Sequence, residues 1–294
     1  SLTSNPTFTN ITFSANGSNG IKIIEGTLSS NATLVKRNVA GFTNIPYIVG
    51  SLTVASGAVL TLEQGIILKF RAAGWTSIFV QGGLNATGII SQKIIFTSFK
   101  DDSSGGDTNN DGSATIPSNA DWHGLIFYPE SIDASNKLIY CEVRYTGGGY
   151  STPFGGDAYN GAVRVKDAYV QIDNTIVQQG NSCALGIYGA ANPAVTNCQI
   201  YNFTYTPVYM AMFSTPSFSN ITVSNVGMLA LGIQSETYSQ TATVPQRNFA
   251  GYTNITYILN GFTVNSGTTI TVPAGTVFKT QSTEGIIVNG KLTV

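Results

Sequence analysis

The chain has 294 residues, a formal net charge of −1 and 10% charged residues, well below the roughly 25% of an average soluble domain. It lacks the basic stripe that a nucleic-acid partner requires, and it has no run of about 20 apolar residues that could span a membrane as a helix. The 32 glycines and the frequent Asn, Thr and Ser are typical of many short strands joined by turns.

The first predicted element is a long segment at 5–86, which returns at 215–294. Between 37–69 and 247–279, sixteen of the 33 positions are identical without a gap. The chain therefore contains a second copy of its own beginning. This predicts a window on a longer repetitive array, or one protomer of such an array.

Next comes an acidic loop insertion at 99–121, which holds five of the 15 acidic residues. The run from Asp107 to Gly112 matches the start of a D-x-N-x-D-G calcium loop, although the twelfth position, Glu in an EF-hand, is Ser118 here. Alternate oxygens would converge on a hard cation, so we predict a structural calcium ion that pins the loop to the rest of the protein. The alternative is a solvated loop held by its own turns. The candidate ligands are Asp107, Asn109, Asp111, the carbonyl of Ser113, and Asp101, Asp102 or Asp121.

A short repeat then predicts the fold. In each six-residue segment, the first and last residues are apolar, the third is Asn (once Tyr) and the fourth is small or apolar. The segments that begin at Ile172, Val195 and Phe218 start 23 residues apart. The Asn fits a bend, and the final three positions alternate as a strand does. A period near 23 is the circumference of a solenoid coil, so we predict an all-β, right-handed parallel β-helix over 1–294, with about thirteen coils of about 23 residues. The segments are Leu138–Val143, Ile172–Val177, Val195–Ile200 and Phe218–Val223, with Phe8–Phe13 as a fifth.

Stacking of these segments predicts two columns of side chains inside the coil. One is an internal amide ladder, in which each Asn bonds to the next along the rod. The other is a column of small side chains that includes two of the three cysteines, which predicts free, buried thiols. The ladder residues are Asn174, Asn197 and Asn220, and the second column is Cys141, Thr175 and Cys198.

The same segments carry a resemblance to a group of known proteins. The Asn-containing segments across 138–225, together with Gly50–Val54, Gly65–Phe70 and Asp121–Leu125, resemble secreted and surface-anchored bacterial right-handed β-helix proteins of pectate-lyase-like shape. The resemblance implies an extracellular or cell-surface location in a bacterial setting. It leaves the activity open, because β-helices host enzymes and inert stalks alike.

We predict a non-enzymatic, extracellular structural β-helix, the repeating segment of a surface adhesin, sheath or self-assembling filament. Its expected partners are further copies, end to end, or neighbouring repeats. The alternative is a carbohydrate-active enzyme, a polysaccharide lyase or hydrolase, or a carbohydrate-binding module. A lyase would use the basic residues Arg144, Arg164 and Lys166, with the Gly-rich segment 147–161 as a groove wall. The single histidine, His123, excludes a histidine metal cluster.

Overall fold

The structure is a computed structural model that describes residues 2–4, 6–71, 76–147, 161–280 and 285–294. These residues form thirty-one short strands and one turn of 3₁₀ helix, Asp133–Ser135. Most of the Gly-rich segment, 148–160, lies outside the described residues. The groove wall predicted there therefore also lies outside the described residues.

In chain order the strands are β1 (Ile21–Lys22), β2 (Gly26–Leu28), β3 (Ala32–Leu34), β4 (Tyr47–Val49), β5 (Leu52–Val54), β6 (Val59–Leu62), β7 (Ile67–Phe70), β8 (Ser77–Val80), β9 (Gly83–Thr87), β10 (Ile94–Ser98), β11 (Gly124–Phe127), β12 (Lys137–Ile139), β13 (Cys141–Thr146), β14 (Val163–Lys166), β15 (Gln171–Asp173) and β16 (Ile176–Gly180). They continue as β17 (Leu185–Tyr188), β18 (Ala194–Thr196), β19 (Gln199–Phe203), β20 (Val208–Met210), β21 (Ser217–Ser219), β22 (Thr222–Val226), β23 (Leu231–Ile233), β24 (Glu236–Tyr238), β25 (Ala242–Thr243), β26 (Tyr257–Leu259), β27 (Phe262–Val264), β28 (Thr269–Thr271), β29 (Phe278–Thr280), β30 (Ile286–Val288) and β31 (Lys291–Thr293).

Every third strand pairs in parallel, so the chain winds as a helix of coils with three faces. Sheet 1 holds β1, β4, β7, β10, β13, β16, β19 and β22, and sheet 3 holds β3, β6, β9, β12, β15, β18 and β21. Sheet 2 runs from β2 through β5, β8, β11, β14, β17, β20, β23 and β26 to β29. Sheet 4 (β24, β27, β30) and sheet 5 (β25, β28, β31) complete the fold. The prediction of an all-β, right-handed parallel β-helix is confirmed.

The coil length follows from the length of the connections. In sheet 1, Ile176 pairs with Gln199 and Gln199 with Thr222, steps of 23 residues, as predicted where connections are short. Sheet 2 has ten strands, so the described residues make ten coils and not about thirteen. The prediction was too high because long connections, above all the acidic loop between β10 and β11, add residues without adding strands.

The core is a set of apolar columns that run along the rod. In sheet 1, Val143, Val177 and Ile200 pair in register, and each is buried. Cys141, Thr175 and Cys198 are also buried, and the Cys141 amide donates to Thr175 Oγ1 at 3.2 Å. All three cysteines are free thiols, as predicted, and burial raises the pKa of Cys183 to about 12 and that of Cys198 to about 11.

The asparagine corner differs from the prediction of an internal ladder. Asn174, Asn197 and Asn220 have φ values of 49°, 53° and 52°, so each makes a left-handed bend that Asn tolerates. Asn220 Nδ2 donates to Asn197 Oδ1 at 2.8 Å, and Asn197 Nδ2 donates to Asp173 Oδ1 at 3.0 Å. Asn197 and Asn220 are exposed, so their amides lie on the outer surface. The internal position was wrong because the left-handed bend turns the side chain out of the coil.

The long repeat is also a structural repeat. Strands β1–β9 return in the same order as β23–β31, and Tyr47 and Tyr257 begin equivalent strands. Both tyrosine hydroxyls donate to a backbone carbonyl twelve residues earlier, that of Val35 or Pro245. The predicted segment Phe8–Phe13 is not in a strand, whereas its counterpart provides β21 and β22. Among the described strands, these two pair with β18 and β19, which precede them, whereas Phe8 has no described strand before it to pair with.

Candidate metal site in the acidic loop

The acidic loop leaves sheet 1 after β10 and returns at β11. Its first end is held by Arg144 on β13, whose Nη2 lies 2.7 Å from Asp101 Oδ2. Thr97 on β10 donates its hydroxyl to the same carboxylate at 2.5 Å. Asp101 is 1% exposed, so this ion pair is shielded from solvent and fixes the loop to the sheet.

The second end of the loop is held by Asp121. Its carboxylate accepts the Ser98 hydroxyl at 2.6 Å and lies 2.9 Å from Lys100 Nζ. The next residue, Trp122, is fully buried and stacks on Phe70 with ring centroids 3.9 Å apart. Asp101 and Asp121, which the sequence offered as metal ligands, are thus engaged in anchoring the loop.

Three other carboxylates come together between these anchors. Oxygens of Asp102, Asp107 and Asp111 all lie within 4.8 Å of one another. Oδ1 of Asp102, Asn109 and Asp111 are each shielded from solvent and have no hydrogen-bond partner in the described part of the structure. Two oxygens bound to one calcium ion at about 2.3–2.6 Å can be no more than about 5 Å apart, so the spacing fits one ion.

The local turn explains how the sequence brings these oxygens together. Asp107 accepts the amide of Gly112 at 2.8 Å and that of Asp111 at 3.2 Å, which curls the chain around its carboxylate. Asn110 and Gly112 have positive φ values of 57° and 71°. Asn109 Nδ2 donates to Asp111 Oδ2 at 2.8 Å, which leaves Asn109 Oδ1 and Asp111 Oδ1 as acceptors. Ser113, the remaining candidate, follows this turn as an exposed residue.

Lys69 is a site residue that the sequence reasoning missed. It lies on β7 beneath the loop, is fully buried, and donates from Nζ to the Gly106 carbonyl at 2.7 Å. Burial lowers the pKa of Lys69 to about 8, opposed by the nearby carboxylates of Asp101, Asp102 and Asp107. Burial, followed by the Asp107 charge, raises the pKa of Asp102. The available signal was a lysine in an otherwise apolar strand, ahead of an acidic loop.

The N-terminal segment also contacts the loop, which the sequence reasoning did not foresee. The backbone N–H of Asn19 donates to the Thr108 carbonyl at 2.8 Å, and the side-chain Nδ2 of Asn110 donates to the Asn16 carbonyl at 2.7 Å. The turn that carries Asp107 and Asp111 is therefore supported from a segment nearly ninety residues earlier in the chain.

The structure does not bring together the basic residues proposed for a lyase. Arg144 lies on sheet 1 in its ion pair with Asp101, whereas Arg164 and Lys166 lie on β14 of sheet 2. Arg164 is 1% exposed and donates to the carbonyls of His123 and Gly161, at 2.9 and 3.0 Å, while Lys166 is exposed. Burial, helped by Arg164, lowers the pKa of His123 to about 3.

Comparison with known proteins gives no relative: no protein family, curated protein or solved structure matches the chain. Across the described ranges, no helix has the length and apolar character that crossing a membrane would need.

Proposed function

We propose that the chain is a non-enzymatic, extracellular structural β-helix, a repeating segment of a surface adhesin, sheath or self-assembling filament. The observation that carries the proposal is the continuity of sheet 2, whose strands pass without a break from the first copy of the long repeat into the second. One copy is therefore built to support the next by main-chain hydrogen bonds. The resemblance to secreted and surface-anchored bacterial β-helix proteins supports an extracellular location.

This structural role is tested by electron microscopy together with a polysaccharide cleavage screen. We expect rods that associate end to end as the concentration rises, and no release of sugar products. Short single rods at every concentration, combined with cleavage of an acidic polysaccharide, would contradict the proposal and favour the lyase alternative. Arg144→Ala and Arg164→Ala would then be the variants to assay.

We further propose that the acidic loop binds one structural calcium ion through Asp102, Asp107, Asn109 and Asp111. The shielded, unpartnered oxygens of Asp102, Asn109 and Asp111 support this, because an acceptor buried without a partner costs free energy that a cation would offset. The ion would pin the loop over Lys69 and sheet 1 and would take no part in a reaction. Extracellular calcium modules typically have dissociation constants of about 10⁻⁴–10⁻³ M, which suits the proposed location.

Calcium binding is tested by calorimetry and by amide hydrogen exchange of residues 99–121. At a free calcium concentration of 100 times the dissociation constant, we expect about 2.7 kcal/mol of stabilisation in the loop, and therefore slower exchange. Asp111→Asn should abolish both effects, since it keeps the shape but removes a charge. Glu130→Gln, on an exposed carboxylate outside the loop, should leave them unchanged. No heat of binding and identical exchange with calcium or a chelator would remove the ion and leave a loop held by its own turns.

A groove on sheet 1 keeps the carbohydrate-binding alternative open to a direct test. It measures about 680 Å³ and lies between two hairpin turns, Val39–Phe42 and Ile89–Gln92. Lys93 and Glu142 line it beside the exposed side chain of Ile90. If the groove binds an acidic glycan, Lys93→Ala should reduce retention on a glycan column, and Lys291→Ala, on the last strand, should not. Equal elution of both variants and the original chain would remove this alternative.

A further inference from the structure

The two copies of the long repeat do not sit on the same faces of the β-helix. Strand β1 lies in sheet 1, but its counterpart β23, 210 residues later, lies in sheet 2. In the same way β2 lies in sheet 2 and its counterpart β24 in sheet 4, and β3 in sheet 3 with its counterpart β25 in sheet 5. Each strand of the second copy has thus moved on by one face.

The number of strands in one repeat causes this shift. From β1 to β22 the described residues hold twenty-two strands, and a coil uses three, so one repeat makes seven coils and one strand more. The next copy must begin on the following face. Val208 pairs with Leu231, and Met210 pairs with Ile233. This pairing places β23, the counterpart of β1, on sheet 2 and so determines the face on which the second copy continues.

An arginine contact at the boundary between the two copies occurs in both of them. Among the described strands, sheets 1 and 3 end at β22 and β21, sheets 4 and 5 start after them, and sheet 2 alone crosses the boundary. Arg247 spans the boundary, donating to the Met212 and Ser214 carbonyls at 2.9 and 2.7 Å. Its counterpart Arg37 donates to the Pro6 carbonyl at 2.6 Å, in the segment ahead of strand β1.

Aromatic packing seals the same boundary. Phe218 on β21 packs edge to face against Phe249, with ring centroids 4.9 Å apart. At the start of the chain, the counterpart of Phe218 is Phe8, whose ring lies 5.8 Å from the Arg37 guanidinium. The arginine contact is therefore present in both copies, whereas the aromatic contact differs, because Val39 takes the place of Phe249. The one-face shift follows from the number of strands in the repeat unit.

We infer that successive units of this repeat are each turned by one face of the β-helix, so that the acidic loop is displayed on three faces in turn and returns to the first face in the fourth unit. The inference rests on the proposed function, because it describes an array whose partner at each boundary is another copy of the same unit. Seven and one-third coils at about 4.8 Å each give an axial rise of about 35 Å per unit. A molecule beside such a rod meets the same loop from any side.

A tandem protein tests this directly. It joins residues 1–214, 5–214 and 5–294, so that each seam places Ser214 before Asn5, as Ser4 precedes Asn5 in the chain itself. Ala114, exposed in the acidic loop, is changed to cysteine in every unit and labelled with a gold cluster. The native thiols stay unlabelled, because Cys141, Cys183 and Cys198 are buried.

Electron microscopy should show three gold clusters at axial steps of about 35 Å, each on a different face of one straight rod. Clusters in a single row along one face would overturn the inference but leave the structural function standing. Conversely, a rod that shows the three-face pattern and cleaves a polysaccharide would overturn the function and leave the geometry.

A deletion variant of the tandem protein checks the axial step, and a measurement on the 294-residue chain keeps the inference testable if the tandem protein fails to fold. Deletion of residues 175–197 from each unit removes one 23-residue coil, β16–β18, and should shorten the step by about 4.8 Å while the order of faces stays the same. In the 294-residue chain, spin labels at the equivalent exposed residues Thr43 and Thr253 should be clearly farther apart than the axial rise of about 35 Å. A distance equal to the axial rise would place both hairpins on one face and contradict the inference.

Discussion

The two copies of the long repeat have closely similar sequences and the same order of strands, yet their side chains lie in different surroundings. Leu84 on β9 is fully buried, whereas its counterpart Leu292 on β31 is partly exposed. Lys69 on β7 is fully buried, and its counterpart Lys279 on β29 is exposed. The first copy is covered by the coil β10–β12 and the acidic loop, which follow it. In a solenoid, the burial of a residue therefore depends on the next coil as much as on its own sequence.

A second contrast concerns strand formation itself. Residues 217–219 and 222–226 are strands, while the matching residues 7–9 and 12–16 are not. Both stretches keep the left-handed corner, with φ values of 52° at Asn220 and 54° at Asn10. The bend is a local property of the Asn, whereas the strand requires a paired neighbour.

The largest difference in stability is expected between substitutions of the two equivalent leucines, Leu84 and Leu292. Leu84→Ala removes fully buried methyl groups and leaves a cavity, so we expect a loss of about 3–4 kcal/mol in the free energy of unfolding. Leu292→Ala acts on a partly exposed side chain and should cost about 1 kcal/mol. Denaturant unfolding followed by circular dichroism measures both. Equal losses would mean that the next coil contributes little to burial at this position.

The second difference is expected in how the two equivalent lysines, Lys69 and Lys279, make the free energy of unfolding depend on pH. The pKa of Lys69 is about 8 in the folded protein and 10.5 without burial, so the unfolded chain binds more protons between these values. The free energy of unfolding should therefore rise between about pH 8 and 10.5, and below pH 8 the burial of the charge costs its full amount, about 3 kcal/mol.

Lys69→Met should remove this rise and stabilise the protein at pH 7, measured in calcium-free buffer because an ion in the loop would change the charge balance. Lys279→Met should keep the pH dependence of the original chain, because the side chain that it replaces is exposed. If the curves of the two variants run parallel, the buried ammonium is not the source of the pH dependence.

The smallest difference in stability is expected between substitutions at the two asparagine corners, Asn220 and Asn10. Asn220→Ala forces a residue with a β-carbon into the left-handed region and removes the bond to Asn197, so we expect a loss of about 1–2 kcal/mol. Asn10→Ala meets the same left-handed strain but lies outside the strands, so it should cost less, about 0.5–1 kcal/mol.

Asn220→Gly is the matched control for the corner, since it accepts the left-handed bend but cannot make the amide bond. It should fall between Asn220→Ala and the original chain in thermal unfolding. A loss as large as that of Asn220→Ala would assign the whole effect to the amide bond.

The candidate metal site was only partly predictable. The turn from Asp107 to Gly112 was readable because its oxygens and its glycine follow one another at fixed offsets. The choice among the other carboxylates was not, since Asp101 is used by Arg144 on β13 and Asp121 by Lys100 at the opposite end of the loop. Lys69 was missed because it comes from a strand outside the loop, 37 residues before the Gly106 that it contacts.

The sequence by itself determined the parallel β-helix, the 23-residue coil, the bends at asparagine and the existence of two copies, because each of these follows from a local pattern that repeats along the chain. The tertiary structure alone decided which carboxylates meet, that the asparagine amides face outward, and that the second copy lies one face ahead of the first. These features depend on which coil stacks on which, and therefore on pairing between residues far apart in the chain.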